Sequence, residues 1–586
     1  MPTSLLPRWA LLPVVCVLAA CAPAAAPPAS GGAAPATQAQ PASKKVLNVA
    51  LSSFLEGFSI ASGSSTGGGR FSYIELHSQA LFTSDKTTGR PIPRLLAEQP
   101  SIDNGGLKLT DAGGMIATYK LRPNLKWADG APLTTRDLMF TYKVQRNPTT
   151  PVFDSGPMKL MDSASAPDDS TFVVNWSQPY YLADAIGLRA FWPLPAHLLE
   201  QDYTTLVEEQ KDPTAWFAKP YWTSEYVHVG PYKLVDYVPQ VHAVFEAVDD
   251  YFLGRPKIDR VVMRQFNDKN TVLANILAGS IDLLSDGVLD PDQALEVQRR
   301  GELGKIYFST GTTRFISFQF DSATPSFRPA VLDKRVRQGL YSAIDRATYA
   351  ETAAGGIPNT AAFALLPPDN PLYSFVKDGW KDRYPYDVNR ASAILADAGW
   401  HKGADGLLAN AAGDHLKFEL RTTVDMERWL PIVGDMWRQA GVDLDLYVVP
   451  APLVGDREFR QAFPGGEITA RGSQDSILTR LELSESPTAA NRYSGNNRGH
   501  WSNEQYEQLV RAYRANLREE GRGQAIKQIQ DLLLDEMPFL LMNYDVSNVF
   551  ARKGVAAYQD DFAGGSESGR IYGTFGRNAH EWDIVD

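Results

Sequence analysis

Apolar residues along most of this chain follow two spacings, which alternate. Short runs such as 46–53 are apolar at every second position and contain β-branched residues, the pattern of a half-buried strand. Longer runs such as 333–349 are apolar at every third or fourth position, and there Val336, Leu340 and Ile344 form a stripe that predicts a helix. This alternation continues through most of the 586 residues and predicts several α/β subdomains.

Capping residues mark several of the predicted helix ends. Thr134 precedes a helical pattern, and Asp387 begins a helix that Gly399 ends. Ser502 and Gln505 have the spacing of a capping box before a further amphipathic helix. The remaining patterns predict helices over 71–81 and 428–440, and strands over 118–121, 315–320, 416–422 and 442–449.

The beginning of the chain has a different composition. The apolar run 9–20 follows Arg8 and is shorter than the roughly 20 residues that cross a bilayer, which favours a cleaved signal peptide over 1–20. Leu18-Ala19-Ala20-Cys21 resembles the bacterial lipobox, which implies a lipid on Cys21; ordinary cleavage nearby, with Cys21 incidental, is the alternative. Because Ala, Pro, Gly and Ser dominate the next segment, residues 21–44 are predicted to form a lipidated, flexible tether.

Charge and cysteine content exclude several kinds of function. The net charge is −11 and no run of lysine or arginine occurs, so we expect no nucleic-acid partner. Cys16 and Cys21 are the two cysteines, and Cys16 lies in the predicted signal peptide. The mature chain therefore has no thiol for a disulfide, a metal site or a catalytic nucleophile.

Residues 117–142, ATYKLRPNLKWADGAPLTTRDLMFTY, carry the most specific motif. They resemble the signature of family 5 solute-binding proteins, the oligopeptide-, dipeptide- and nickel-binding group. Pro123 and Gly130 would fix turns and Asp137 would lie in the first turn of a helix, so these positions are predicted to be structural. The matching residues are Tyr119, Leu121, Arg122, Pro123, Trp127, Asp129, Gly130, Leu133, Thr134 and Asp137.

Four further blocks resemble the same family and follow in its order: 230–234, 278–282, 333–340 and 386–400. One departure is Val227-His228-Val229, where the family usually has Gly-Thr. Five blocks in one order are highly specific, and they span nearly the whole mature chain.

The resemblance implies an α/β fold of the type II periplasmic-binding-protein kind, with two lobes joined by a hinge and an extra subdomain inserted in the first lobe. Lobe I is predicted to combine 45–85, 226–310 and 521–586. The inserted subdomain would span 86–225, and lobe II would span 311–520.

Candidate ligand contacts also follow from the resemblance. Peptide-binding relatives place an aspartate, in a stretch like R-a-g-W-x-x-D, against the amino terminus of the ligand. The counterpart here, 470–475, lacks the tryptophan and is one residue shorter, so a solvated polar loop is the alternative. Plain core packing is the alternative for the uncharged candidates. The predicted contacts are Phe54 and Tyr73 in lobe I, and Phe318, Gln319, Arg471 and Asp475 in lobe II.

Catalytic motifs give little support to an enzyme. Residues 63–67 match G-x-S-x-G, but they lie in a slack Gly/Ser loop and no acid or histidine partner is marked. No two of the eight histidines have a metal-ligand spacing, and no Walker A sequence or dinucleotide-binding glycine motif occurs. We therefore predict neither catalysis, nor a cofactor, nor a directly bound metal; a chelated metal stays open as a ligand.

The resemblance implies the substrate-binding component of an ABC importer, a monomer anchored outside the cytoplasm, which captures a solute between its lobes and delivers it to a membrane permease. Peptide is the predicted solute. The alternatives are a non-peptide solute (glycan, opine or metal chelate), a sensor or chaperone that uses the same cleft without a permease, and a cleft hydrolase.

Overall fold

A mixed ten-stranded sheet is the main element of the fold in the computed structural model, in the strand order β16-β15-β17-β12-β18-β11-β1-β10-β9-β8. Its strands are β1 (Val46–Leu51), β8 (Tyr232–Val238), β9 (His242–Ala247), β10 (Arg260–Gln265), β11 (Leu283–Leu284), β12 (Gly304–Phe318), β15 (Lys417–Thr423), β16 (Asp443–Val449), β17 (Gly466–Gly472) and β18 (Phe539–Arg552). The smaller sheets contain β2 (Phe82–Ser84), β3 (Pro91–Pro93), β4 (Leu107–Leu109), β5 (Met115–Lys120), β6 (Met161–Ser165), β7 (Thr171–Trp176), β13 (His401–Lys402), β14 (Leu408–Ala409), β19 (Val555–Ala556) and β20 (Asp583–Ile584).

The chain divides into two units, 1–43 and 44–586, of which the second is compact. The structure describes residues of the second unit: 44–51, 57–58, 71–85, 88, 90–150, 156–187, 190–285, 287–357, 360–368, 370–377, 379–472, 475–491, 493, 495–558 and 574–585. The predicted signal peptide, Cys21 and almost all of the predicted tether lie outside these residues, as does Phe54.

Helices cover the strands in the described part of the chain. They are α1 (Thr135–Arg146), α2 (Gly156–Leu160), α3 (Ala196–Asp202), α4 (Pro213–Phe217), α5 (Lys269–Leu277), α6 (Pro291–Arg299), α7 (Lys334–Ser342), α8 (Arg346–Ala353), α9 (Tyr373–Val376), α10 (Gly379–Arg383), α11 (Val388–Asp397), α12 (Leu430–Ala440), α13 (Arg457–Gln461), α14 (Asp475–Thr479), α15 (Glu504–Ala515) and α16 (Glu519–Glu536).

Two long antiparallel strands, β12 and β18, join the halves of the large sheet. Near β11, the first half of β12 pairs with the last residues of β18, so that Gly304 lies opposite Arg552. Its second half pairs with both β17 and the beginning of β18. The register shifts between Thr310 and Thr312, where β12 passes from one half to the other. Because a bulge bends a strand locally, this is the natural hinge between the halves.

Each half of the sheet has its own hydrophobic core. The first-lobe core surrounds β1, β9 and β10, and Leu47, Phe245 and Val261 are completely buried in it. The second-lobe core surrounds β15, β17, α7 and α12, with Phe418 and Trp437 in edge-to-face contact. The residues around the first of these cores form the first lobe, and those around the other form the second lobe.

Helix α16 belongs to the second lobe, although residues 521–586 were predicted to lie in the first. Ile526, Ile529 and Leu533 are buried in the second-lobe core, as are β18 residues up to Tyr544. Val549 is the first residue of β18 in the first-lobe core. The change of lobe therefore occurs inside β18, because a strand that crosses the hinge contributes to both cores.

A third core lies under the sheet β4-β5-β7-β6 and defines the inserted subdomain. Signature residues Tyr119, Trp127 and Leu133 are buried there. Thr134 and Asp137 form the capping box of α1, and the main-chain N–H of Thr134 donates to Asp137 Oδ2 at 2.9 Å. The signature thus serves folding, as predicted.

His228 explains the departure from the family's usual Gly-Thr. Its imidazole is buried against Trp127 and Trp192, with ring centroids 5.2 Å and 4.8 Å away. Nε2 lies 3.0 Å from the carbonyl oxygen of Pro193, and Nδ1 accepts a hydrogen bond from the Val229 N–H at 2.8 Å. Burial lowers the pKa of His228 to about 3, so it packs as a neutral side chain.

Three local predictions differ from the structure. The helix expected over 71–81 is a short 3₁₀ helix, Phe71–Leu76. The helix expected over 333–349 is two helices, α7 and α8, because Asp345 caps a new helix with a hydrogen bond from the Thr348 N–H. The capping-box prediction at Ser502 was wrong: Asn503 caps α15 by accepting from the Tyr506 N–H at 3.0 Å.

Candidate ligand-binding cleft

The carboxyl ends of strands from both lobes point toward the hinge. In the second lobe, β17 pairs antiparallel with β12 and ends opposite Thr312. In the first lobe, β1 runs parallel to β11, and β11 is antiparallel to β18, so β1 also ends on the hinge side. Ligands of open α/β sheets bind outside the carboxyl ends of strands. The region outside these strand ends, at the hinge, is therefore the candidate ligand site.

An ion pair joins the two hinge strands. Arg314 donates from Nε and Nη2 to the carboxylate of Asp545, at 3.1 Å and 2.5 Å. Its guanidinium carbon lies 3.7 Å from the ring centroid of Trp429, which follows the carboxyl end of β15. Only 5% of the Arg314 side chain is exposed, so the pair is strong and fixes the strands beside the register shift.

A buried carboxylate, Glu467, lies at the beginning of β17. Arg460 donates to its Oε1 at 2.8 Å and Arg498 to its Oε2 at 2.6 Å, while Arg421 lies 3.8 Å from Oε1. Burial alone would raise the pKa of Glu467, but attraction to the three guanidinium groups outweighs it and the pKa lies below its usual value. This cluster fixes β17, whose end carries the predicted ligand contacts.

Tyr73, a predicted ligand contact, is buried in the first-lobe core. Its hydroxyl donates to the carbonyl oxygen of Leu284 at 2.7 Å and lies 2.6 Å from the hydroxyl of Tyr558. These bonds tie the 3₁₀ helix to the end of β11. Packing thus explains Tyr73, and a ligand contact by it stays a prediction.

Phe318 and Gln319 are buried in the second lobe. Phe318 packs edge to face on Phe418 at 5.9 Å. Gln319 donates from Nε2 to the carbonyl oxygen of Gln461, and its Oε1 accepts from the N–H of Asp321 at 2.9 Å. Both are explained by packing within the lobe, and their ligand contacts also stay predictions.

The main chains of Arg471 and Asp475, the two charged residues predicted to contact the ligand, belong to the described part of the structure. Arg471 is opposite Thr313 near the end of β17, and Asp475 begins α14. The main chain of Arg471 therefore lies at the hinge end of the second lobe. The side chains of both residues, like Phe54 and Cys21, lie outside the described part of the structure, and their ligand contacts stay predictions.

Sequence reasoning missed a groove between the inserted subdomain and the second lobe. Its volume is about 310 Å³, within the range of small-molecule sites. No motif marks it, because its two walls are distant in the chain. The lining residues are Arg90, Pro91, Gln99, Tyr181, Leu182 and Asp184 on one side, and Leu366, Asn370, Pro371, Leu372, Tyr513, Leu517, Glu519 and Arg522 on the other.

Among the described residues, no three His, Cys, Asp or Glu side chains are grouped so that they could hold a metal ion. No helix within the same residues has the length and apolarity needed to cross a membrane.

The family profile of bacterial extracellular solute-binding proteins, family 5 Middle, matches residues 92–469, more than half of the chain. The chain belongs to this family, as its motifs predict. A putative ABC transporter peptide-binding protein of Brucella ovis is 27% identical over 286 residues, which are 49% of each chain. The chain thus spans about half the length of the curated relatives it matches.

Solved structures confirm the predicted fold class. An oligopeptide-binding protein of Thermus thermophilus, complexed with a pentapeptide, has a TM-score of 0.67 and 22% identity over 92% of this chain and 96% of its own. NikA of Brucella suis, complexed with Fe(III)-EDTA, has a TM-score of 0.71 and 17% identity over 92% of this chain and 99% of its own. At these identities the likeness concerns the fold.

Proposed function

We propose that this chain is the substrate-binding component of an ABC importer, which captures a peptide between its two lobes without catalysing a reaction on it. The observation that carries this proposal is the arrangement at the hinge, where β1 and β17 end facing the cleft and only β12 and β18 cross it in the large sheet of the described residues. Family membership and the peptide-binding relatives support the peptide assignment.

Closure of the two lobes is the proposed mechanism. A ligand shifts an open–closed equilibrium only by the difference between its affinities for the two states. Groups at the ends of β1 and β17 contact one ligand together only when the lobes are closed. Binding therefore favours closure, and the closed complex is the form that a permease recognises.

Arg471 and Asp475 are the charged residues proposed to hold the ligand, with Asp475 pairing with a peptide amino terminus. Lipidation at Cys21 and the tether to residue 44 would keep a monomeric binding protein beside its permease, outside the cytoplasm. Such a tether raises the effective concentration of the captured ligand at the permease.

A non-peptide solute is the second candidate. The specific observation in its favour is the segment 470–475, which lacks the tryptophan of the peptide-binding motif and is one residue shorter. A metal chelate is one such ligand, since the fold is shared with NikA bound to Fe(III)-EDTA.

Thermal melting of the chain from Lys44 onward tests both candidates. A ligand that binds only the folded state at 100 times its dissociation constant adds about 2.7 kcal/mol of stability. We expect peptides to raise the melting temperature, and Asp475→Ala to abolish the rise. A rise with sugars or nickel chelates but with no peptide would reject the peptide assignment and favour the second candidate.

A further inference from the structure

The groove between the inserted subdomain and the second lobe is held by contacts across it. The main-chain N–H of Tyr181 donates to the carbonyl oxygen of Arg514 at 3.2 Å. The rings of Tyr181 and Tyr513 have centroids 5.2 Å apart. The two walls thus meet at a pair of tyrosines, one from each side.

Both arginines that line the groove have partners within the protein. Arg90 donates from Nη2 to Glu519 Oε1 at 2.7 Å, and both side chains are well exposed, which places this ion pair at the mouth. Arg522 donates from Nη1 to the carbonyl oxygen of Asn516 at 3.1 Å, and its guanidinium lies 5.6 Å from the ring centroid of Tyr181.

Asp184 is the remaining charged residue of the lining, and its environment differs. It is half-buried between the buried residues Ala183 and Ala185, and its main-chain carbonyl accepts from Gln99 Nε2 at 3.0 Å. Within the described residues, its carboxylate forms no ion pair or side-chain hydrogen bond. Burial raises its pKa to about 6, and Arg522 lowers it by less. A partly desolvated carboxylate without an ion-pair partner favours a cation that comes from outside the fold.

We propose that this groove is a subsite for a basic side chain of the peptide ligand, whose ammonium or guanidinium group pairs with Asp184. Tyr181 and Tyr513 provide apolar ring surface for the aliphatic part of such a side chain. The volume of about 310 Å³ accommodates it. The inference rests on the proposed function, because it assumes that the ligand is a peptide.

Calorimetric titration of the chain from Lys44 onward tests this subsite with a neutral alanine–glycine pentapeptide and two sets of single-residue variants. One set carries a lysine at each position in turn, and the other carries norleucine, its uncharged analogue. A charge-assisted hydrogen bond contributes about 1.5–3 kcal/mol. We therefore expect one lysine peptide to bind about 10- to 150-fold more tightly than its norleucine counterpart.

Asp184→Asn should remove that preference and leave the affinity for the neutral peptide within about twofold. Asp103→Asn, which changes an exposed carboxylate of the same subdomain 3.6 Å from Arg518, should keep it. The preference should also grow as the pH rises from 5 to 7, because Asp184 ionises in this range, and should be independent of pH in Asp184→Asn.

The outcomes separate this inference from the proposed function. If the neutral peptide binds but lysine brings no preference, or if Asp184→Asn keeps the preference, the subsite is rejected and peptide capture stands. If none of the peptides binds, the peptide assignment fails and the subsite fails with it.

Discussion

Glu467 is buried and Asp184 is half-buried, yet the surrounding protein compensates the charges of their carboxylates to very different extents. Glu467 has three arginines within 4.0 Å, and its pKa lies below the usual value. Asp184 has no such partner among the described residues, and burial raises its pKa to about 6. A carboxylate that forms ion pairs with neighbouring arginines maintains structure, whereas one without an ion pair is available to a cationic ligand.

Replacing Glu467 should have the largest effect on stability. Glu467→Gln leaves the buried guanidinium groups of Arg421 and Arg460 and the half-buried one of Arg498 without their anion, and breaking a buried ion pair costs about 3–5 kcal/mol. Urea denaturation of the chain from Lys44 onward measures the change in the free energy of unfolding. A change below about 1 kcal/mol would show that the cluster is not what stabilises β17.

Replacing Asp545, which has one arginine partner, should have an intermediate effect on stability. Asp545→Asn weakens the charge-assisted bonds from Arg314 across the hinge strands, and we expect a loss of about 2 kcal/mol in the same denaturation experiment. The variant should also change the ligand-free equilibrium between open and closed lobes. An unchanged free energy of unfolding would mean that the Arg314 pair contributes nothing to the hinge.

At neutral pH, Asp184→Asn should increase the free energy of unfolding, whereas the two preceding substitutions decrease it. Since the folded pKa is raised, the contribution of Asp184 to stability is fully present below its unfolded pKa of about 3.9 and is lost as the pH rises through about 6. The variant should therefore be more stable than the native chain at pH 7.5, on the order of 1 kcal/mol after solvent screening, and equal to it near pH 4. Equal stability at pH 7.5 would contradict the raised pKa.

Glu200 gives the smallest expected effect and serves as the control for all three. It forms an ion pair with Arg136 at 2.7 Å, but 70% of the Arg136 side chain is exposed. Exposed pairs contribute less than about 1 kcal/mol, so Glu200→Gln should leave the free energy of unfolding nearly unchanged. A loss as large as that of Glu467→Gln would mean that burial does not decide the order of these effects.

Local signals predicted local structure well. Asp387 caps α11 and Gly399 has the positive φ of a helix C-terminus, because capping depends on residues a few positions apart. The ten-strand order could not be predicted from spacing, since it depends on pairs as distant as Gly304 and Arg552. The family motifs, by contrast, were sufficient for the two-lobed class of fold.

The candidate sites also divide into residues that a motif marks and residues whose contacts depend on distant segments of the chain. The resemblance predicted Arg471 and Asp475 as ligand contacts of the second lobe, and these contacts stay predictions; the structure places Arg471 near the end of β17 and Asp475 at the start of α14. It also proposed Tyr73, whose pairing with Tyr558 depends on a distant segment that no motif marks. Asp184 was missed for the same physical reason. The opposite wall of its groove, which includes Arg522, belongs to another lobe and is distant in the chain.

Small-angle X-ray scattering of the chain from Lys44 onward, with and without a peptide that raises its melting temperature, tests the central claim most directly. If the ligand bridges the ends of β1 and β17, the lobes close about β12 and β18, and the radius of gyration should decrease at saturation. Saturation without any change in the radius of gyration would contradict capture by lobe closure.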